Sequence, residues 1–163
     1  MGAGKTTYGR SLAQQLGMRF VDADDYLVER AGKSVGELFA ERGEEGFRKW
    51  ERECLFELCQ MNDVIIATGG GMPCFFDNME LMRRFGLTIY LETSVDVLYQ
   101  RLKGTEGRRP LLQGKTPELL RSYIADTLRL RRPFYEKASC KIDSERVDIV
   151  HLLAQLVRYA PQD

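Results

Sequence analysis

Histidine is almost missing from this sequence, and the one present, His151, has no neighbours at metal-ligand spacing, which excludes a zinc site built on imidazoles. The four cysteines (Cys54, Cys59, Cys74 and Cys140) never fall into a Cys-x-x-Cys pair, so neither a redox motif nor a zinc ribbon is encoded. Reduced thiols are expected. No apolar run approaches the roughly 18 residues needed to span a bilayer, and no signal-peptide pattern precedes the first motif. No membrane partner and a cytoplasmic location are therefore expected. Excess charge is absent too: 24 Lys+Arg balance 24 Asp+Glu, which argues against nucleic acid or an acidic surface as a partner. Any basic site must be a local cluster. With repeats and linkers also missing, 163 residues at 44% hydrophobic content describe one domain with a real core, and nothing demands more than a monomer.

What is present begins at the first residue. Met1-Gly2-Ala3-Gly4-Lys5-Thr6-Thr7 holds most of a phosphate-binding P-loop. Glycines let backbone N–H groups converge on phosphate oxygens, a lysine ammonium follows the β- and γ-phosphates, and a threonine hydroxyl ligates Mg²⁺. Tyr8, Leu12 and Leu16 then recur at helical spacing, and Gly17 supplies a stop. The run suits a nucleoside triphosphate. A complete motif also carries a strand and a further glycine ahead of Gly4, so the natural polypeptide is expected to begin upstream of Met1.

Helical and strand patterns alternate through the rest of the chain, which predicts an α/β fold with a largely parallel sheet. Strands are expected at Arg19-Phe20-Val21, at Val64 to Thr68, at Leu87 to Leu91 and at Cys140-Lys141-Ile142. Ser34-Val35-Gly36-Glu37 reads as a capping box that starts a second short helix, and an amphipathic helix follows from Glu44 to about Met61. Further helices are expected from Asn78 to Phe85, from the cap Ser94 to Leu102, after Thr116-Pro117, and from Val147 to Tyr159. Lys103 to Lys115, rich in glycine, proline and charge, reads as a mobile loop.

Ligands in open α/β sheets bind beyond the carboxyl ends of the strands. Two of those ends are unusual here. Asp22-Ala23-Asp24 sends two carboxylates to one side, one for a magnesium shell and one for an incoming hydroxyl, although a pair of solvated acids would look the same. Gly69-Gly70-Gly71 suits a place where a ligand approaches the main chain closely, although a loose turn remains the alternative. Arg48, Arg109 and Arg131 complete the set, since a guanidinium can grip a carboxylate or phosphate in a fork as lysine cannot.

Together these motifs resemble the shikimate kinase family along nearly the whole chain. The Gly-Ala-Gly-Lys-Thr-Thr loop, Phe20 to Asp24, Gly43 to Arg48, Ala67 to Gly71, Arg109 to Leu112 and Arg131-x-Pro-x-Tyr135 carry the likeness. The resemblance implies ATP-dependent phosphorylation of the shikimate 3-hydroxyl, on the way to chorismate and the aromatic amino acids. It implies a three-layer α/β/α P-loop kinase fold with a parallel sheet of order 2-3-1-4-5, the first, central strand being missing from this chain. The core would comprise residues 1–23, 62–102 and 116–163, with a shikimate-binding helical region at 24–61 and a lid at 103–115. Gly2, Ala3, Gly4, Lys5, Thr6 and Thr7 would bind ATP, with Arg101 beside adenine and Arg109 on the phosphates. Thr6 and Asp22 would serve Mg²⁺. Asp24 is implied as the base, and Asp24, Arg48, Gly69, Gly70, Gly71 and Arg131 as the shikimate site; Lys5 and Arg109 share the catalytic work.

Two other readings fit parts of the pattern. A small P-loop kinase for gluconate or a nucleoside monophosphate would use the loop but would not need both the Asp-x-Asp and the paired arginines. A non-catalytic nucleotide- or shikimate-binding protein would bind without releasing ADP.

Overall fold

The computed structural model describes residues 2–104, 114–146 and 148–156. The order of elements is α1 (Lys5–Leu16), β1 (Arg19–Asp22), α2 (Ala23–Ala31), α3 (Val35–Cys59), β2 (Val64–Ala67), a 3-10 turn (Met72–Cys74), α4 (Asn78–Phe85), β3 (Ile89–Glu92), α5 (Val95–Leu102), α6 (Pro117–Tyr135), β4 (Cys140–Asp143) and α7 (Ile149–Leu156). Strand β1 runs parallel to β2 with Arg19 opposite Val64, and β3 runs parallel to β4 with Ile89 opposite Cys140. Among the described residues these are two separate two-stranded sheets. Between the facing edges of β2 and β3 lies a cleft of about 320 Å³, walled by Val64 to Ala67, by Thr88 to Leu91 and by Leu12 of α1.

Local chemistry explains most element boundaries. Ser34 and Glu37 close the capping box, the Ser34 N–H donating to Glu37 Oε2 at 2.7 Å. Ser94 and Thr116 cap α5 and α6 through their hydroxyls, and Pro117 opens α6 where a missing N–H costs nothing. Helix α3 is assigned as one element, but Gly43 inside it sits at φ 64°, ψ −179°. That conformation breaks the helix between the two segments expected from the sequence, and only glycine adopts it without strain.

Two expected details change. Leu16 is 49% exposed, and α1 instead buries Leu12 and Ala13, with Gly9 pressed against the ring of Phe20. The third strand begins at Ile89, because Leu87 lies outside the pairing and is 44% exposed. The last helix is described from Ile149 to Leu156, and the expected ends at Val147 and Tyr159 lie outside the described residues.

Three apolar clusters hold the layers. Ala23, Leu27, Cys54, Leu55, Leu58 and Met72 join α2 and α3 to the β1–β2 pair; Leu98, Leu102, Leu120 and Ile124 join α5 to α6; and Cys140, Ile142 and Leu152 join β4 to α7. Burial pushes the Cys54 thiol up to about 11, so it behaves as an inert core group. No helix among the described residues is long and apolar enough to cross a membrane.

Candidate active site

The phosphate loop enters α1 through Gly4, whose φ of 92° lies in the left-handed region, and the Tyr8 N–H donates to the Gly4 carbonyl at 2.9 Å. Helices α2 to α6 each carry an acidic residue in the first turn, whereas α1 has none. Its positive end therefore remains available to an anion, with Lys5 at the first helical position and Thr6 and Thr7 following. Arg101, near the end of α5, donates through Nη1 to the Gly2 carbonyl at 3.2 Å, which brings it to the outside of the same loop.

The end of β1 delivers the acids. Asp22 caps α2, its Oδ1 accepting from the Asp24 N–H at 3.1 Å, while its Oδ2 accepts from the Thr6 hydroxyl at 3.0 Å. One carboxylate thus fixes the helix start and faces the P-loop threonine. Asp24 follows on the first turn of α2, and burial first, then the charge of Asp22, hold its carboxyl above the usual 3.8, with Lys5 partly opposing the rise.

The end of β2 comes next. A Cβ on Gly69 would fall 2.5 Å from Asp24 Oδ1, and one on Gly71 would fall 3.0 Å from Arg48 Nη1. The glycines are therefore required by the two side chains packed against them, as well as by any ligand. Gly69→Ala is expected to displace Asp24 and lower kcat about tenfold or more, with the far-UV circular dichroism spectrum unchanged; a wild-type kcat would remove this account.

Arg48 reaches the glycine turn from α3. Its guanidinium stands 3.9 Å from the centre of the Phe75 ring and its Nη1 donates to Glu51 Oε2 at 2.8 Å. Glu51 is 2% exposed, and burial raises its carboxyl despite the Arg48 partner. The Arg48 Nε is buried with no hydrogen-bond partner among the described residues, so the guanidinium is fixed more by packing and Glu51 than by full saturation. Arg131, on α6, lies close enough to act electrostatically on Glu51, on Cys74 and on Tyr135.

Gly2 to Thr7, Asp22, Asp24, Arg48, Gly69 to Gly71 and Arg131 are thus gathered around the carboxyl ends of β1 and β2, with Arg101 at the margin. Arg109 and most of the expected lid at 103–115 lie outside the described residues. Two participants are new. Glu51 could have been found from its spacing, three residues beyond Arg48 on one helix face. Tyr135 stood in a recognised motif without a task.

The arrangement offers a helix N-terminus for an anion, an acid pair and two arginines near the glycine turn. Thr6 and Asp22 present oxygen donors 3.0 Å apart, a fit for a hard cation that takes its remaining ligands from water and phosphate. Among the described residues no cluster of three or more His, Cys, Asp or Glu side chains could cage a metal alone.

Known proteins resemble the chain along most of its length. The family model described as shikimate kinase matches residues 1–158. A shikimate kinase of Parabacteroides distasonis is 51% identical over 147 residues, covering 90% of this chain and 85% of the relative, and one of Bacteroides thetaiotaomicron is 47% identical over 91% of this chain and 85% of its own length. The crystal structure of a shikimate kinase from Bacteroides thetaiotaomicron superposes with a TM-score of 0.91 at 44% identity, covering 97% of this chain and 94% of the other. A shikimate kinase from Acinetobacter baumannii, solved in complex with shikimate, gives a TM-score of 0.84 at 35% identity, covering 98% and 87%.

Proposed function

The chain belongs to the shikimate kinase family, and from that premise we infer that it transfers the γ-phosphoryl group of ATP to the 3-hydroxyl of shikimate. The observation that carries the reading is the convergence of Asp24, the glycine turn and Arg48 beside the P-loop helix. In the reaction the hydroxyl oxygen bonds to the γ-phosphorus, the bond to the β–γ bridging oxygen breaks, and ADP leaves. Asp24 accepts the hydroxyl proton. Its raised pKa makes it a better base than an ordinary aspartate.

The other roles follow from position. The loop amides of Gly2 to Gly4 and Lys5 hold the phosphates, Thr7 supports the loop, and Arg101 flanks the nucleotide. Thr6 and Asp22 hold Mg²⁺, which neutralises phosphate charge when bound. Arg48 and Arg131 grip the shikimate carboxylate, and Gly69, Gly70 and Gly71 present backbone to the ring. Arg109 closes over the phosphates from the lid. In the full sheet of order 2-3-1-4-5, β1 and β2 are the second and third strands and β3 and β4 the fourth and fifth. The apolar walls of the cleft between β2 and β3 suit a further parallel strand.

A coupled ADP-release assay tests the reading. ADP release that depends on shikimate supports it, whereas release with gluconate or a nucleoside monophosphate, or none with any acceptor, rejects it. In the same assay Arg48→Ala is expected to raise the shikimate KM about 10–150-fold with the ATP KM little changed, corresponding to a lost charged contact of about 1.5–3 kcal/mol. Equal rises for both substrates would contradict the clamp.

A further inference from the structure

Tyr135 is the last residue of α6, one helical turn beyond Arg131 and on the same face. Its hydroxyl donates to the Gly70 carbonyl at 2.6 Å, at the short end of the range for such bonds. The two residues are far apart in the chain, and this bond crosses from the end of α6 to the turn after β2. The ring is braced against Tyr90 of β3, with centroids 5.3 Å apart and planes tilted by 38°, and Tyr90 is itself 9% exposed. Burial raises the phenol above its ordinary 10.0, which keeps it a proton donor throughout the physiological range.

The carbonyl that Tyr135 holds belongs to the peptide unit between Gly70 and Gly71. Because that unit is planar and trans, fixing its oxygen also fixes the Gly71 N–H on the opposite side. Gly71 lies against the Arg48 guanidinium, where even a Cβ would stand only 3.0 Å from Nη1. The Cys74 thiol is the other group on the Gly70 oxygen and, at 3.9 Å, a weak one. Three consecutive glycines have little torsional preference of their own, so an external restraint has an unusually large effect on them.

We propose that Tyr135 is a positioning residue that ties the arginine on α6 to the arginine seated against the glycine turn, and so sets the spacing at which Arg48 and Arg131 receive a carboxylate. The proposal rests on the proposed function and adds to it a determinant of acceptor selectivity. The hydroxyl acts on substrate through the peptide it orients, and the ring alone serves packing.

Tyr135→Phe keeps the ring and removes only the hydroxyl. Steady-state kinetics are expected to show the shikimate KM raised about tenfold, with kcat and the ATP KM within about twofold of wild type. Placing 4-aminophenylalanine at position 135 restores a donor on the same ring and is expected to recover most of the lost affinity. In the Tyr135→Phe background, Arg131→Lys is expected to cost less than it does alone, because the two changes damage one spacing. An unchanged shikimate KM, an equal rise in both KM values, or a Tyr135→Phe protein that fails to fold would each overturn the positioning role. Failure of the kinase reading is separate: it would appear in the wild type as ADP release indifferent to shikimate.

Discussion

Lys5→Met is expected to abolish measurable turnover, with kcat reduced on the order of 10²–10³-fold or more while the fold persists. The reason lies in what phosphoryl transfer asks of a protein. Charge spreads over the γ-phosphate oxygens in the transition state, and little covalent chemistry is left for side chains to perform. A fixed ammonium at the first position of α1, where the helix carries no acidic residue to compete, stabilises that charge in place. Methionine preserves the length and apolar stem of lysine and removes the charge. Single-turnover measurements on the purified variant check this, and wild-type turnover would mean that the loop does not hold the transferred group. Shikimate binding in the absence of nucleotide should be preserved, since Arg48 and Arg131 are untouched.

Asp24→Asn is expected to produce opposite effects on activity and stability. Proton transfer by a positioned base contributes about 10²–10⁴-fold, and kcat should fall by that order. Stability should rise at neutral pH. Both Asp24 and Glu51 have folded pKa values raised above 3.8 and 4.5, chiefly by burial. A raised folded pKa means that the contribution of each group to stability is fully present below the unfolded value and is lost as pH climbs through the folded one. The ionised form of Asp24 also faces Asp22, whose charge adds to the rise. Asparagine removes that charge. Thermal melts across pH 4 to 8 should show the variant gaining on the wild type as pH increases; a constant difference, or a loss of stability at pH 7, would contradict this electrostatic account. The same displacement predicts that the acidic limb of wild-type kcat/KM lies above the range of an ordinary aspartate.

Local rules carried much of this structure. Ser34-x-x-Glu37, Ser94 and Thr116-Pro117 each act on hydrogen bonds within a few residues, so their caps were legible before any packing was known. The strand ends bearing Asp22-Ala23-Asp24 and the three glycines were legible for the same reason. Facing directions were less so. Leu16 kept the helical period of α1 yet points to solvent, because close contact with Phe20 selects the face that contains Gly9. The site showed the same division between local and distant information. Gly69 and Gly71 announced a close approach, but their immediate neighbours are the chain's own Asp24 and Arg48, a fact that depends on how α2 and α3 lie over β2. Tyr135 escaped assignment because its partner, a backbone carbonyl, becomes its neighbour only after those layers assemble, whereas Glu51 pairs with a half-buried guanidinium on its own helix and was within reach of spacing alone.

The position of α1 has a consequence for how the molecule comes apart. Each strand pair is served by its own apolar cluster, one on α2 and α3 and the other on α7, and α1 touches both sides. Cooperativity of unfolding then draws on that helix together with the Tyr135–Gly70 bond, and the first turn of α1 is also the proposed ATP seat. Nucleotide bound there would stabilise the folded state alone, so the melting temperature is expected to climb with ATP concentration as both sides are held through α1.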